Sequence, residues 1–150
     1  MSKKLGLFLL TAGVILIPVI TVVIVMQGRS SPPGAISREG YRGLTSGLAI
    51  KDDVVGEGDE AGTGKQCTVH YTGKFMDGRV FDSSKGKEPF PFQIGSGNVI
   101  KGWEEGVAGM KVGGKRSLIV PPDLAYGKRG REGIPPNSEL YFEIELLKVE

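Results

Sequence analysis

Six aromatic residues, Tyr71, Phe81, Phe90, Trp103, Tyr126 and Phe142, are spread through the last two thirds of a chain with few groups able to do covalent chemistry. Large, stiff apolar rings offer contact surface at little entropic cost, so this set suits a binding cup better than a nucleophile's site. His70 is the only histidine and Cys67 the only cysteine. Three positions apart on a strand, they face opposite sides, so Cys67 reads as a small core residue beside Val69 and Tyr71 and not as half of a thiol–imidazole pair. A single histidine gives no multi-histidine metal site, a single cysteine gives no internal disulfide, and no cofactor is expected. Ser83 and Ser84 lack a neighbouring base and read as turn residues that hydrogen-bond to local backbone. The glycines form no G-x-x-x-x-G-K-[ST] phosphate cradle. Glu104 and Glu105, adjacent on a helix, do not face one another and read as surface or first-turn acids favoured by the helix dipole.

The elements that must position the aromatics are short and punctuated by glycine, which favours a sheet joined by turns over a helical bundle. Val69 and Tyr71 alternate with Thr68, His70 and Thr72, as in a strand with one buried face. Asp77-Gly78 signals a turn into Arg79 to Asp82, and Gly113-Gly114 similarly precedes Lys115 to Val120. Leu140, Phe142, Ile144 and Leu146 alternate with Tyr141, Glu143 and Glu145, a further strand with an apolar face. One short helix is expected over about Lys101 to Val107, where Trp103 and Val107 share a face. The fold class is α+β with an antiparallel sheet.

At 150 residues and 39% apolar content the chain suits one globular domain with an appendage. Its formal charge of +2 conceals a division. Residues 1–43 hold Lys3, Lys4, Arg29, Arg38 and Arg42 against Glu39 alone, and residues 44–150 are net acidic. A globular part without a broad basic face is not a nucleic-acid binder. The one basic cluster, Lys128, Arg129 and Arg131, reads as a solvated loop. Leu5 to Met26 is uncharged and apolar, and as a helix it would reach roughly 33 Å, enough to cross a hydrocarbon core. Residues 1–26 are therefore expected to be an N-terminal transmembrane signal anchor, kinked at Pro18, with secretion after signal cleavage as the alternative. Lys3 and Lys4 favour a cytoplasmic N-terminus and a domain on the outer side, whether periplasmic, extracellular or lumenal. Residues 27–43, rich in glycine, serine and proline, read as a flexible linker, and residues 44–150 as the folded domain.

Five motifs carry a family likeness: VHYTG (Val69 to Gly73), FDSS (Phe81 to Ser84), VIKGWEEGV (Val99 to Val107), AYG (Ala125 to Gly127) and YFEIELLKV (Tyr141 to Val149). In this order they resemble the FKBP-type (tacrolimus-binding) peptidyl-prolyl cis-trans isomerases over residues 44–150. The resemblance implies a curved antiparallel sheet wrapped around one short helix. It places Trp103 at a pocket floor, Phe81 and Phe142 as walls, and Tyr71, Asp82 and Tyr126 as further catalytic positions. Phe90, Val99, Ile100, Ala125 and Ile134 are implied as substrate contacts, with the Ile100 N–H and the Tyr126 hydroxyl available to a ligand carbonyl. Asp82 would be a partly buried carboxylate bonded near Tyr71. Phe92 and Tyr141 are instead expected to pack the core. The implied partners are proline-containing polypeptides, and tacrolimus- or rapamycin-like macrolides.

The implied chemistry needs no nucleophile. An Xaa-Pro amide rotates over a barrier of about 20 kcal/mol because resonance resists twisting its C–N bond. A pocket that binds the twisted amide better than the planar one lowers that barrier without covalent steps. The alternative is a chaperone or assembly factor that holds proline segments with little turnover. Two departures from the family pattern bear on the pocket. The stretch Lys85-Gly86-Lys87-Glu88 is shorter and lacks an arginine often paired with the aspartate, which leaves Lys87 as a weak substitute without the guanidinium fork. The loop Lys128 to Pro136 is also shorter, with Ile134 alone before Pro135-Pro136.

Overall fold

The computed structural model describes residues 32–150. The expected membrane span, Leu5 to Met26, lies outside the described residues, and among those described no helix is long and apolar enough to cross a membrane.

Among the described residues seven strands form a single antiparallel sheet: β1 (Arg42–Gly43), β2 (Ala49–Val54), β3 (Gln66–Phe75), β4 (Val80–Ser83), β5 (Phe90–Gln93), β6 (Lys115–Val120) and β7 (Leu140–Val149). Their spatial order is β1-β2-β6-β7-β3-β4, with β5 also paired to β3. The helix α1 (Lys101–Val107) has the extent expected from Trp103 and Val107, both of which it buries. The ten-residue strands β3 and β7 pair from Cys67↔Val149 to Phe75↔Leu140, across a bulge at Thr68/Val69. The alternation predicted for them holds. Cys67 and Val69 on β3, and Leu140, Phe142, Ile144 and Leu146 on β7, enter the main core with Leu118 and Val120 of β6.

The helix lies directly on β6 because its sequence leaves room. A Cβ on Gly102 would stand 2.4 Å from Val120 Cγ1, and one on Gly106 would stand 2.6 Å from Leu118 Cδ1. Glycine is a poor helix former, so two in seven residues are explained by this contact and not by propensity. Arg116, 9% exposed, fixes the other end of the helix. Its Nη1 donates to the carbonyls of Gly106 (3.0 Å) and Ala108 (3.2 Å), while Nε pairs with Asp52 at 2.6 Å. A cation there satisfies terminal carbonyls and complements the helix dipole. Glu104 and Glu105, expected as surface acids, each secure a loop: Glu104 accepts from the Gly97 N–H at 2.8 Å and Glu105 from the Ser46 hydroxyl at 2.7 Å.

Three strands lacked a sequence signal. β1 is two residues long, β2 carries Lys51, Asp52 and Asp53 with only Ile50 deeply buried, and β5 includes Pro91, which cannot donate to a ladder. Residues read as linker also contribute contacts. Ile36 donates its N–H to Met76 O at 2.9 Å, Arg38 pairs with Glu139, and β1 pairs with β2. Tyr141 is 7% exposed but lies away from the main core. Its hydroxyl sits 3.2 Å from that of Ser117 and donates to Glu143 at 3.2 Å.

Candidate functional site

Trp103, 5% exposed, hangs from α1 onto the sheet and is ringed by aromatics from three strands. Its centroid lies 4.9 Å from Tyr71 (β3), 5.5 Å from Phe142 (β7), 5.9 Å from Phe90 and 5.6 Å from Phe92 (both β5). Tyr71, Phe90 and Phe142 meet it nearly edge-on, at 77° to 87°, the arrangement that places the positive ring edge on a negative face. Phe81 continues the wall, 5.7 Å from Phe142 at 87°. All of these rings but Phe92 line an open cavity of about 950 Å³, with Val99, Ile100, Ala125 and Ile134 also along its lining. Every residue expected in the pocket lines it. Phe92 does not; buried at 4% exposure, it supports Trp103 from behind, in the core role expected of it.

The polar groups converge on one side. Tyr71 donates its hydroxyl to Asp82 Oδ2 at 2.7 Å. Burial, and then this bond to a carboxylate, hold the Tyr71 phenol well above its usual range, so it stays protonated. Asp82 is exposed, not partly buried, because it sits on the edge strand β4. Phe81 and Asp82 are neighbours that simple alternation would send to opposite faces. The β3–β4 ladder pairs Gly73 with Asp82 and Lys74 with Val80, leaving Phe81 as the extra residue of a bulge. Bulges re-aim side chains, and here both neighbours reach the cavity.

Lys87 does not take the place of the missing arginine. It does not line the cavity, and its N–H serves a turn by donating to Ser84 O at 3.0 Å. Two cations line the cavity, Lys101 and Arg131, and the one that bonds to a pocket side chain is Arg131, read from the sequence as part of a solvated cluster. Its Nη1 donates to the Tyr126 hydroxyl at 3.0 Å, with its guanidinium carbon 5.1 Å from that ring's centroid. The signal that could have revealed it is the distance along the loop: a long donor five residues after Tyr126, in a segment that must fold back for Ile134 to be buried.

The reactive groups outside the cup are accounted for. Cys67 is fully buried, and burial pushes its thiol above the usual range, which withholds the thiolate. His70 Nδ1 is 2.9 Å from Ser84 Oγ, and that hydroxyl also accepts from the Tyr71 N–H at 2.8 Å. Ser83 and Ser84 thus hold turn and strand in register.

Fold and site together define a sheet-and-helix domain whose cup has an indole floor, aromatic walls and a few polar groups at its side. A family model for FKBP-type peptidyl-prolyl cis-trans isomerases matches residues 58–147, and the chain belongs to that family. FK506-binding protein 3 of Yarrowia lipolytica is 48% identical over 109 residues, which is 73% of this chain and 27% of that protein. The 39 kDa FK506-binding nuclear protein of Drosophila melanogaster is 52% identical over 110 residues, 72% of this chain and 31% of that protein. The chain thus spans about a third or less of these curated relatives. Among solved structures, AtFKBP13 is 45% identical with a TM-score of 0.69, covering 73% of this chain and 98% of that one. FkpA from Escherichia coli is 41% identical, also at a TM-score of 0.69, covering 75% of this chain and 52% of that one.

Proposed function

We propose that this chain is a peptidyl-prolyl cis-trans isomerase that accelerates Xaa-Pro rotation in other polypeptides by binding the twisted amide in the aromatic cup. The observation that carries the reading is Trp103, a buried indole with Tyr71, Phe90 and Phe142 standing edge-on around it. A proline ring placed on that floor is held by apolar contact, and the adjoining amide then rotates beside Asp82, Tyr71 and Tyr126. In this reading Trp103, Phe81, Phe142 and Tyr71 shape the site, and Phe90, Val99, Ala125 and Ile134 contact the substrate. The Ile100 N–H and Tyr126 hydroxyl receive carbonyl oxygens. Asp82 fixes Tyr71 and polarises the pocket without taking a proton. Catalysis follows from stronger binding of the less polar, twisted amide, and each 1.4 kcal/mol of that preference gives about tenfold in rate.

The test is NMR exchange of a short Xaa-Pro peptide, which reads the rotation directly. The full chain should accelerate exchange, and a folded Phe81→Ala, Asp82→Ala variant should not. Binding of the peptide without acceleration would instead assign the cup to a chaperone or assembly factor.

The same cup is offered to tacrolimus- or rapamycin-like macrolides, as the names of the FK506-binding relatives suggest. Residues 1–26 we assign to a membrane anchor, with the isomerase on the outer side, where proline-limited folding of exported chains takes tens to hundreds of seconds unaided. Resistance of the full chain to alkaline carbonate extraction, and its release on deletion of Leu5 to Met26, test the anchor. Protease access in intact cells tests the side.

A further inference from the structure

Two tyrosine hydroxyls line the cup, and their partners are of opposite character. Tyr71 donates to a carboxylate, Asp82, so its oxygen is left only to accept. Tyr126 meets a guanidinium, which has donors and no acceptor. The Tyr126 oxygen must therefore be the acceptor of the 3.0 Å bond from Arg131 Nη1. A phenol proton prefers the plane of its ring, with two positions to choose from, and the guanidinium's approach disfavours the one it faces. The proton is freed for a bond elsewhere, and among the described residues the Tyr126 hydroxyl has no second partner.

The loop holds the backbone of Arg131 in place beside Tyr126. Arg131 and Ile134 exchange both backbone bonds, at 3.0 and 2.9 Å, and Gly130 donates to Tyr126 O at 3.2 Å. Ile134, 5% exposed, anchors this clip in the core. Arg131 makes no ion pair among the described residues, although Asp82, Glu104, Asp123 and Glu132 also line the cavity. Its polar contact is with Tyr126.

Resting on the isomerase reading above, we propose that Arg131 is a positioning residue that turns the Tyr126 hydroxyl proton into the cup and strengthens it as a donor to a substrate carbonyl. The mouth then presents one hydroxyl that gives a hydrogen bond and one that receives it, a polarity that sets the direction in which a peptide lies across the floor.

The test is a double-mutant cycle on the full chain, read as kcat/KM for Xaa-Pro exchange by NMR. Tyr126→Phe and Arg131→Met should each lower it about three- to tenfold, the worth of one neutral hydrogen bond. Arg131→Met should then cost nothing further in the Tyr126→Phe background, and Arg131→Lys, which keeps a donor, should recover part of the loss. Independent losses that multiply, or an Arg131→Met variant as fast as the parent, would overturn the proposal while leaving the isomerase reading intact. A parent that fails to accelerate exchange would remove that reading, and this proposal with it.

Discussion

Gly73 lies against the ring of Phe81 so closely that a methyl group on its Cα would stand 2.6 Å from Phe81 Cζ and 3.0 Å from Phe142 Cε1. The two phenylalanine walls are thus set by the absence of a side chain on β3. Gly73→Ala must push one or both rings toward the cavity, an overpacking that costs about 1–3 kcal/mol. The variant should stay folded and lose most of its Xaa-Pro exchange activity. A denaturation midpoint and an exchange rate both close to the parent's would show that the walls move freely.

Arg116 acts on the floor from a distance. Its bonds to Gly106 and Ala108 O hold the C-terminal end of the helix that carries Trp103. Arg116→Met keeps the stem and leaves those carbonyls without their donor, for a loss of about 2 kcal/mol. Urea unfolding should shift accordingly. The Asp52 partner is 40% exposed and returns to water, so Asp52→Asn should cost clearly less. Equal losses from the two variants would contradict this division.

Alkaline conditions should weaken the fold through two phenols. Tyr71 is held above the ordinary phenol range by burial and then by Asp82, and Tyr141 by burial foremost. Above about pH 10 the unfolded chain loses these protons while the folded chain keeps them. The folded state then binds more protons, and stability falls as pH rises; below that pH neither group contributes a slope. Tyr71→Phe and Tyr141→Phe should each flatten the decline of the urea midpoint from about pH 10 upward. Curves parallel to the parent's would exclude them as the cause.

Trp103 is the only tryptophan, so intrinsic fluorescence reports on the floor of the cup alone. Saturation with a proline-containing peptide or a macrolide should change its intensity, and the change should track occupancy. Trp103→Leu should weaken peptide binding by roughly tenfold or more, as expected for a large aromatic anchor. A peptide that binds with no spectral change would place binding elsewhere on the surface.

Much of this site was legible because its parts follow strict periods. Alternation around Val69 and Tyr71, and again along Leu140 to Leu146, located the two long strands, and the spacing of Trp103 and Val107 located the helix. What escaped depends on departures from period or on partners distant in sequence. The bulge that brings Phe81 and Asp82 to one side breaks alternation. The exposed position of Asp82 follows from an edge that only the pairing order reveals. Arg116 stands on the same face of β6 as the core residues Leu118 and Val120, where a charge makes sense only once carbonyls from the end of α1 are known to meet it. Arg131 looked like one of three solvated bases because composition does not show where a loop folds back. The charged strand β2 and the proline-bearing β5 are held by neighbours more than by their own residues.

β7 comes last in sequence among the seven described strands, yet it lies inside the sheet, between β6 and β3. The strand that joins the two halves of the sheet is therefore the one made after the other six. Until residues 140–149 emerge, β3 and β6 lack the partner that joins them, and the cup lacks its Phe142 wall. Pairings this far apart in sequence form slowly. On the isomerase reading proposed above, a protein that relieves slow steps in other chains can begin that work only after β7 has been made and inserted.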